Sequence, residues 1–242
     1  MDNPTHSPAG KRALVFGAGG GIGGALVAQL SAQGFEVVAL ARQPAPAAGV
    51  VAQYAVDIED EASIAAAAQA VAAGGPITRV FVATGLLHSS GLKPERSNAE
   101  LNAANLMRLF AVNAVGPTLV AKHVLPLLPK SERSVFGVLS ARVGSIGDNR
   151  MGGWHGYRAS KAALNMLIRT LSIELRRTRP EAILVGLHPG TVDTGLSRPF
   201  QARVPDLFTP TQSANHLLAV IDGLTPADSG GVFAWDGRRI PE

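Results

Sequence analysis

The sequence predicts an α/β fold in which a doubly wound, mainly parallel sheet of seven strands is covered by helices. Three observations predict it. Short apolar runs alternate with helical patterns of ten or more residues, which builds βαβ units rather than hairpins. The strand candidates are apolar almost throughout, as strands are when helices cover both faces of a sheet. A glycine cluster, "GAGGGIGGAL" at 17–26, stands where the first strand turns into the first helix.

The elements follow in order. "ALVFGA" (13–18) reads as a buried strand, and "GGALVAQLSAQG" (23–34) as a helix closed by Gly34. "EVVALAR" (36–42) is the second strand, 43–49 an Ala/Pro loop, and "VVAQYAVDI" (50–58) contains the third. "DEASIAAAAQAVAAG" (60–74) is a helix and "RVFVATG" (79–85) the fourth strand. Residues 98–128 carry one long helical pattern, and "SVFGVLSA" (134–141) is the fifth strand. A helix is expected from about Gly156 to Arg177, then strand "AILVGLHPG" (182–190), helix "PTQSANHLLAVIDGL" (210–224) and strand "GVFAWDG" (231–237). No linker or repeat interrupts the series. The expected organisation is a disordered lead-in at 1–10 and a single Rossmann-type domain over 11–242.

Composition narrows the function classes. The chain has 242 residues, 46% of them apolar, and no cysteine, so disulfides, thiol catalysis and Cys-metal sites are excluded. Its six histidines lack H-x-x-x-H or H-E-x-x-H spacing, so no metal site is expected. No uninterrupted apolar stretch reaches the ~18 residues of a membrane span, and "MDNPTHSPAGKR" does not read as a signal peptide. The expectation is a cytoplasmic protein without a membrane partner. The formal charge is +4, yet the basic residues are scattered and lack aromatic interleaving, so no nucleic-acid partner is expected. No G-x-S-x-G elbow suggests a hydrolase, and no Lys-Ser/Thr completes a Walker loop.

Two motifs carry chemistry. Six glycines in the ten positions 17–26 disfavour a helix start unless bare backbone is required there. A pyrophosphate approaches such a turn closely and meets free N–H groups at the helix N-terminus. Read from the strand end, the spacing is G-x-x-x-G-x-G through Gly17, Gly21 and Gly23, with Ile22 between the last two. The second motif is "GYRASKAAL", with Tyr157 and Lys161 one helical turn apart on one face. An ammonium beside a phenol favours the phenolate, which makes a tyrosine useful as general acid or base.

Together these motifs make the chain resemble the short-chain dehydrogenase/reductase family over roughly residues 11–242. Within that family, "SARVGSI", "GGWHGYRASKAALN" and "WDGRRIP" look most like the C-factor and sniffer-type carbonyl reductases. The resemblance implies an oxidoreductase that moves hydride between nicotinamide and a carbonyl or alcohol substrate. It assigns Tyr157 as general acid/base, Lys161 as the group that lowers its pKa and binds ribose, and Asn113 as the holder of a relay water. Asp57 matches the family's adenine-binding acid, and Gly85 the remaining glycine of the segment after the fourth strand. Pro189, Gly190, Thr191 and Thr194 match the segment that lines the nicotinamide. It also implies a homodimer or homotetramer paired through the long helices.

The chain departs from the family at several places. The family's S-x-x-G serine falls on Ala141; Ser140 is the favoured replacement, Ser145 the second, and a site with neither stays open. Phe16 replaces a threonine, and "VATG" (82–85) replaces the usual Asn-Asn-Ala-Gly, so other groups must brace those strands. Ala41 stands where an acid would select NAD(H), and Arg42 follows, so NADP(H) is preferred and NAD(H) is the alternative. Substrate recognition is expected at about 194–209, where Leu196, Phe200, Leu207 and Phe208 mix with Arg198 and Arg203. A cofactor-binding regulatory or cell-signalling protein with little turnover is the alternative function.

Overall fold

The computed structural model describes residues 11–45, 48–202 and 204–242. The proposed lead-in 1–10 and Arg203 lie outside the described residues. Strands β1 (Arg12–Phe16), β2 (Glu36–Ala41), β3 (Val50–Ala55), β4 (Ile77–Val82), β5 (Ser134–Leu139), β6 (Ala182–His188) and β9 (Val232–Ala234) form one sheet in the order β3-β2-β1-β4-β5-β6-β9. Every neighbouring pair in it is parallel. A small parallel pair, β7 (Thr191–Val192) and β8 (Leu207–Phe208), lies between β6 and the last helix.

The strand alternation explains the two cores. In β1, Leu14 and Phe16 enter one apolar layer while Ala13 and Val15 enter the other. The first layer packs helices α2 (Glu61–Ala72), α4 (Gly116–Val124) and α5 (His155–Leu175) through residues such as Ile64, Val120 and Ile168. The second packs α1 (Gly21–Ala32) and α6 (Pro210–Gly223) through Leu26, Leu30, Leu217 and Ile221. Both faces are covered, which is why the strands read as continuous apolar runs.

Helix starts differ in a way that matters for the site. Asp60 caps α2 by accepting from Ala62 N–H, and Thr209 with Gln212 forms a capping box on α6. Helix α1 begins at Gly20–Gly21 with no side-chain cap, so its first N–H groups face the glycine turn.

The long helical pattern at 98–128 is interrupted. A 3₁₀ turn (Asn98–Glu100) precedes α3 (Ala103–Phe110), and a π-helical turn (Ala111–Val115) separates α3 from α4. Pro117 has no N–H to give the Asn113 carbonyl four residues back, which removes one α-helical bond. Gly116 also lies so close to Ile58 that a Cβ there would stand 2.4 Å from its Cγ1. The run Ala103–Leu127 has the length and mean hydropathy, 1.2, of a spanning helix, but Ala114, Val120, Ala121 and Val124 are buried in the core beneath the sheet.

Candidate active site

The strand order reverses direction between β1 and β4, and there the carboxyl ends of the strands leave a crevice. Gly17 turns the chain out of β1 with φ +81°, a value that favours glycine. Its N–H donates to Leu40 O at 2.8 Å, and its carbonyl accepts from Gly20 N–H at 3.0 Å. A Cβ on Gly23 would lie 2.1 Å from that carbonyl oxygen, so α1 closes onto the turn only because position 23 is bare. Gly21 faces Thr194, whose Cγ2 would be 2.8 Å from a Cβ there, and Ile22 packs into the core beneath α1. The turn therefore meets the Pro189–Thr194 segment at Thr194.

A cleft of about 410 Å³ opens above these strand ends. Gly17, Arg42, Asp57 and Gly85 line it, as do Gly19 and Gly20, with Arg108 and Val112 from α3 and the π turn. A cradle of bare glycines, an uncapped helix start, an acid and two guanidiniums fits a dinucleotide. Arg108 was not legible as a site residue. The only sequence cue is its position five residues before Asn113 on a helix that crosses the crevice.

Tyr157, Lys161 and Asn113 are brought together beside the same cleft. Tyr157 and Lys161 are buried on α5, with Lys161 Nζ 5.9 Å from the Tyr157 ring centroid and donating to Leu139 O at 2.8 Å. Asn113, fully buried in the π turn, accepts from Leu86 N–H and donates to Leu86 O, both at 2.8 Å. Its amide also donates to Ser160 Oγ at 3.1 Å, and Ser160 Oγ donates to Tyr157 O at 2.9 Å. A Cβ on Gly85 would stand 3.7 Å from Asn113 Oδ1 and 3.9 Å from Lys161 Nζ. Gly85 thus joins the nucleotide cleft to the reactive side chains. Asn113 braces Leu86, just past the segment that lacks the Asn-Asn pair, while Thr84 Oγ1 within it is buried without a hydrogen-bond partner among the described residues.

With this geometry in place, likeness to known proteins becomes informative. Residues 11–204 match the family model for short chain dehydrogenases. The chain belongs to the short-chain dehydrogenase/reductase family. Membership makes it an oxidoreductase that acts between CH–OH and C=O groups with a nicotinamide cofactor. It is 33% identical over 231 residues to 1-hydroxy-2-glutathionyl-2-methyl-3-butene dehydrogenase of Rhodococcus sp. (strain AD45), covering 94% of this chain and 97% of that one. It is 38% identical over 144 residues to C-signal of Myxococcus xanthus, covering 59% of this chain and 81% of that one. The NADPH-bound carbonyl reductase from chicken fatty liver superposes with a TM-score of 0.83 at 26% identity, covering 97% and 100% of the two chains.

As a short-chain dehydrogenase/reductase the protein is unusual at the serine position. Ser140 does not turn toward Tyr157: its Oγ donates to Asn165 Oδ1 at 2.6 Å, one helical turn beyond Lys161. Ala141 is extended, with φ −149° and ψ 145°, so its side chain points to the opposite side. There Ala141 packs with Tyr157, Leu87, Leu92 and Leu109. Ser145 is buried and accepts from Asp148 N–H at 3.1 Å, which holds the following loop. The one-residue offset seen in the sequence thus puts a methyl group, not a hydroxyl, beside the tyrosine.

Burial also changes the acid–base picture expected from the Tyr-Lys spacing. It pushes the Tyr157 phenol up to about 12 and the Lys161 ammonium down to about 7. Desolvation of the charged form, phenolate in one case and ammonium in the other, causes both shifts.

The rest of the apolar wall comes from Leu196, Phe200 and Trp154, which pack against the Tyr157 cluster. Trp154 meets Phe200 edge-on at 5.0 Å and Tyr157 at 6.2 Å. His88 packs on Phe200, and its Nε2 lies 3.2 and 3.1 Å from the carbonyls of Gly195 and Leu196. Pro189 O accepts from Ser213 Oγ at 3.0 Å, Gly190 has φ +78° against Phe208 and Trp235, and Thr191 pairs with Leu207 in β7–β8. Leu207 and Phe208 therefore brace the base of the loop rather than its mouth.

Proposed function

We propose that the protein is an NADP(H)-dependent carbonyl reductase with Tyr157 as its general acid. One observation carries this reading: Gly85 lines the nucleotide cleft and is flanked by Asn113 Oδ1 and Lys161 Nζ, beside the buried Tyr157. When bound, the reduced cofactor supplies the hydride. Gly17, Gly21, Ile22 and Gly23 form the turn at its pyrophosphate, and Asp57 meets the adenine. Pro189, Gly190, Thr191 and Thr194 line the nicotinamide side. Arg42, with Arg108 in the same cleft, receives a 2′-phosphate, and NAD(H) is the weaker alternative.

The side chains divide the remaining work. Charge develops on the substrate oxygen as its carbon is reduced, and Tyr157 Oη donates a proton to it. A phenol held near 12 is protonated throughout the neutral range yet remains a much stronger acid than the alcohol formed. Lys161, held near 7, binds ribose hydroxyls and returns a proton to Tyr157, while Asn113 orders a water that links Lys161 to solvent. With Ala141 rather than a serine beside it, Tyr157 is the hydroxyl donor this mechanism assigns to the oxygen.

The substrate is a small carbonyl compound held against Leu87, Leu92, Trp154, Leu196 and Phe200. Exposed Met107 on α3, Val115 in the π turn, and Met166 and Ile173 on α5 favour pairing of two chains there. The location consistent with this chemistry and the absence of cysteine is the cytoplasm. A regulatory role with little turnover draws on the likeness to C-signal and on Ala141, but Tyr157, Lys161 and Asn113 all stand in place. NADPH oxidation over a panel of aldehydes, ketones and quinones, with Tyr157→Phe in parallel, tests the proposal. Turnover that collapses in the variant supports it; NADPH binding with no Tyr157-dependent turnover favours the regulatory role.

A further inference from the structure

The helix that carries Tyr157 and Lys161 begins in an unusual way. Gly152, Gly153 and Trp154 have φ of +63°, +65° and +51°, three successive left-handed residues that end directly at α5. Trp154 is the only non-glycine with positive φ among the described residues, and such outliers persist only where the surroundings enforce them. It is also the N-cap of α5, and its side chain makes no capping bond.

The missing cap comes from elsewhere. Glu95, in the loop after β4, is 4% exposed. Its carbonyl accepts from Trp154 N–H at 2.6 Å, and its carboxylate accepts from Gly156 N–H at 3.2 Å. A carboxylate at this end of a 21-residue helix also meets the positive end of the helix dipole. The fit is close: a Cβ on Gly156 would stand 2.9 Å from Glu95 Oε1 and 2.7 Å from Leu109 Cδ1. Arg158 closes the turn from the other side, its Nε donating to the carbonyls of Gly152 and Gly153 at 3.2 and 3.0 Å.

We propose that Glu95 is a positioning residue for the catalytic helix, fixing the left-handed turn so that Trp154 and Tyr157 face the substrate together. The inference rests on the reductase reading for its kinetic consequence. The same loop supplies Leu87 and Leu92 to the wall around Tyr157 and Leu86 to Asn113. Glu95 therefore ties both sides of the pocket to the start of α5. Displacing a reacting group by about 1 Å costs about 100-fold in rate, so a loosened turn lowers kcat while the distant nucleotide cleft still binds cofactor.

The test compares Glu95→Ala and Glu95→Gln for kcat, NADPH Kd and unfolding midpoint. The expected result is a kcat loss of about 100-fold in Glu95→Ala and a severalfold loss, under tenfold, in Glu95→Gln, whose amide oxygen still accepts from Gly156 N–H but carries no charge to meet the helix dipole. NADPH Kd stays within twofold in both. A wild-type kcat in Glu95→Ala, equal losses in the two variants, or loss of NADPH binding in step with kcat overturns the proposal. If Glu95→Ala does not fold, Glu95→Gln decides it: a severalfold kcat loss at constant Kd supports it and a wild-type kcat overturns it. A Trp235→Phe background leaves Trp154 as the sole tryptophan. Its emission reports the turn without any substrate, red-shifting on Glu95→Ala if Glu95 holds the turn and staying fixed if not. Should Tyr157→Phe retain full activity, the reductase reading fails, and this emission alone judges Glu95.

Discussion

Asn113 and Leu86 are joined by two 2.8 Å hydrogen bonds, the side-chain amide matching the backbone of Leu86 as a neighbouring strand would. The pairing fastens the π turn to the loop after β4. Asn113→Ala removes the partner of both half-buried Leu86 backbone groups, each bond contributing about 0.5–1.5 kcal/mol. Urea unfolding should show a loss of about 2 kcal/mol. Asn113→Asp keeps the acceptor but not the donor and should fall between wild type and Asn113→Ala. Equal stability of all three would mean the loop is braced by something else.

In the proposed mechanism Ala141, packed beside Tyr157, leaves the reacting oxygen without a serine hydroxyl. Removing an oxyanion donor from enzymes that have one costs about 100–1,000-fold in kcat. Ala141→Ser places a hydroxyl beside Tyr157 and should raise kcat by roughly tenfold, less than the full effect because its neighbours are not arranged to orient it. Ser140→Ala should change kcat little, since Ser140 Oγ is spent on Asn165. The opposite pattern, no gain at 141 and a large loss at 140, would return the role to Ser140.

The proposed preference for NADP(H) rests on Arg42, which follows β2 and lines the cleft. A hydrogen bond to a charged group contributes about 1.5–3 kcal/mol, so Arg42→Ala should raise the KM for NADPH roughly 10–100-fold and leave that for NADH nearly unchanged. Steady-state kinetics with both cofactors decides it. A similar loss for both would mean that Arg42 supports the adenosine generally. Arg108→Ala in parallel shows how much the second guanidinium shares.

Much of the fold was legible because a two-sided parallel sheet writes itself as apolar runs separated by helices. The glycine turn, Tyr157 and Lys161 were legible because their spacing is local. What escaped the sequence is set by contacts between distant segments. Pro117 was a local cue to the break in the 98–128 helix, but the close approach of Gly116 to Ile58 was not, and the role of Glu95 depends on a helix start 61 residues away. The direction of Ser140 was undecidable by counting, since a single residue reverses a side chain on extended backbone. The spacing put Lys161 and Tyr157 on one helix face, but it could not report that both side chains are buried there.

Gly23 sets two rules against each other. Inside a helix, Gly→Ala ordinarily stabilises by about 1 kcal/mol. At Gly23 the added Cβ would lie 2.1 Å from the Gly17 carbonyl oxygen, so the turn must open. Gly23→Ala should therefore destabilise by about 2 kcal/mol or more and abolish NADPH binding. Gly24→Ala is the control, because its Cβ meets Ala18 O at an ordinary 3.4 Å. That variant should be neutral or slightly more stable. A stabilised Gly23→Ala with normal cofactor affinity would refute the account of the turn.

His188 ends β6 directly before Pro189, and burial is the main cause that holds its imidazole down to about 4. The Arg142 cation adds to this, and the Asp236 carboxylate opposes it. The ring's Nδ1 is buried without a hydrogen-bond partner among the described residues, as suits a neutral ring. From pH 6.5 downward the unfolded chain binds a proton at this residue that the folded chain refuses. Stability should therefore fall between pH 6.5 and about 4, with an upper bound of about 3 kcal/mol from this group, and contribute nothing further above pH 6.5. His188→Asn removes the titration, so its denaturant midpoint should decline less steeply with acid than that of wild type. Matching slopes for the two proteins from pH 7 to 4 would show that His188 is protonated in the folded state as readily as in water. In that case the segment behind the nicotinamide side would be open to solvent.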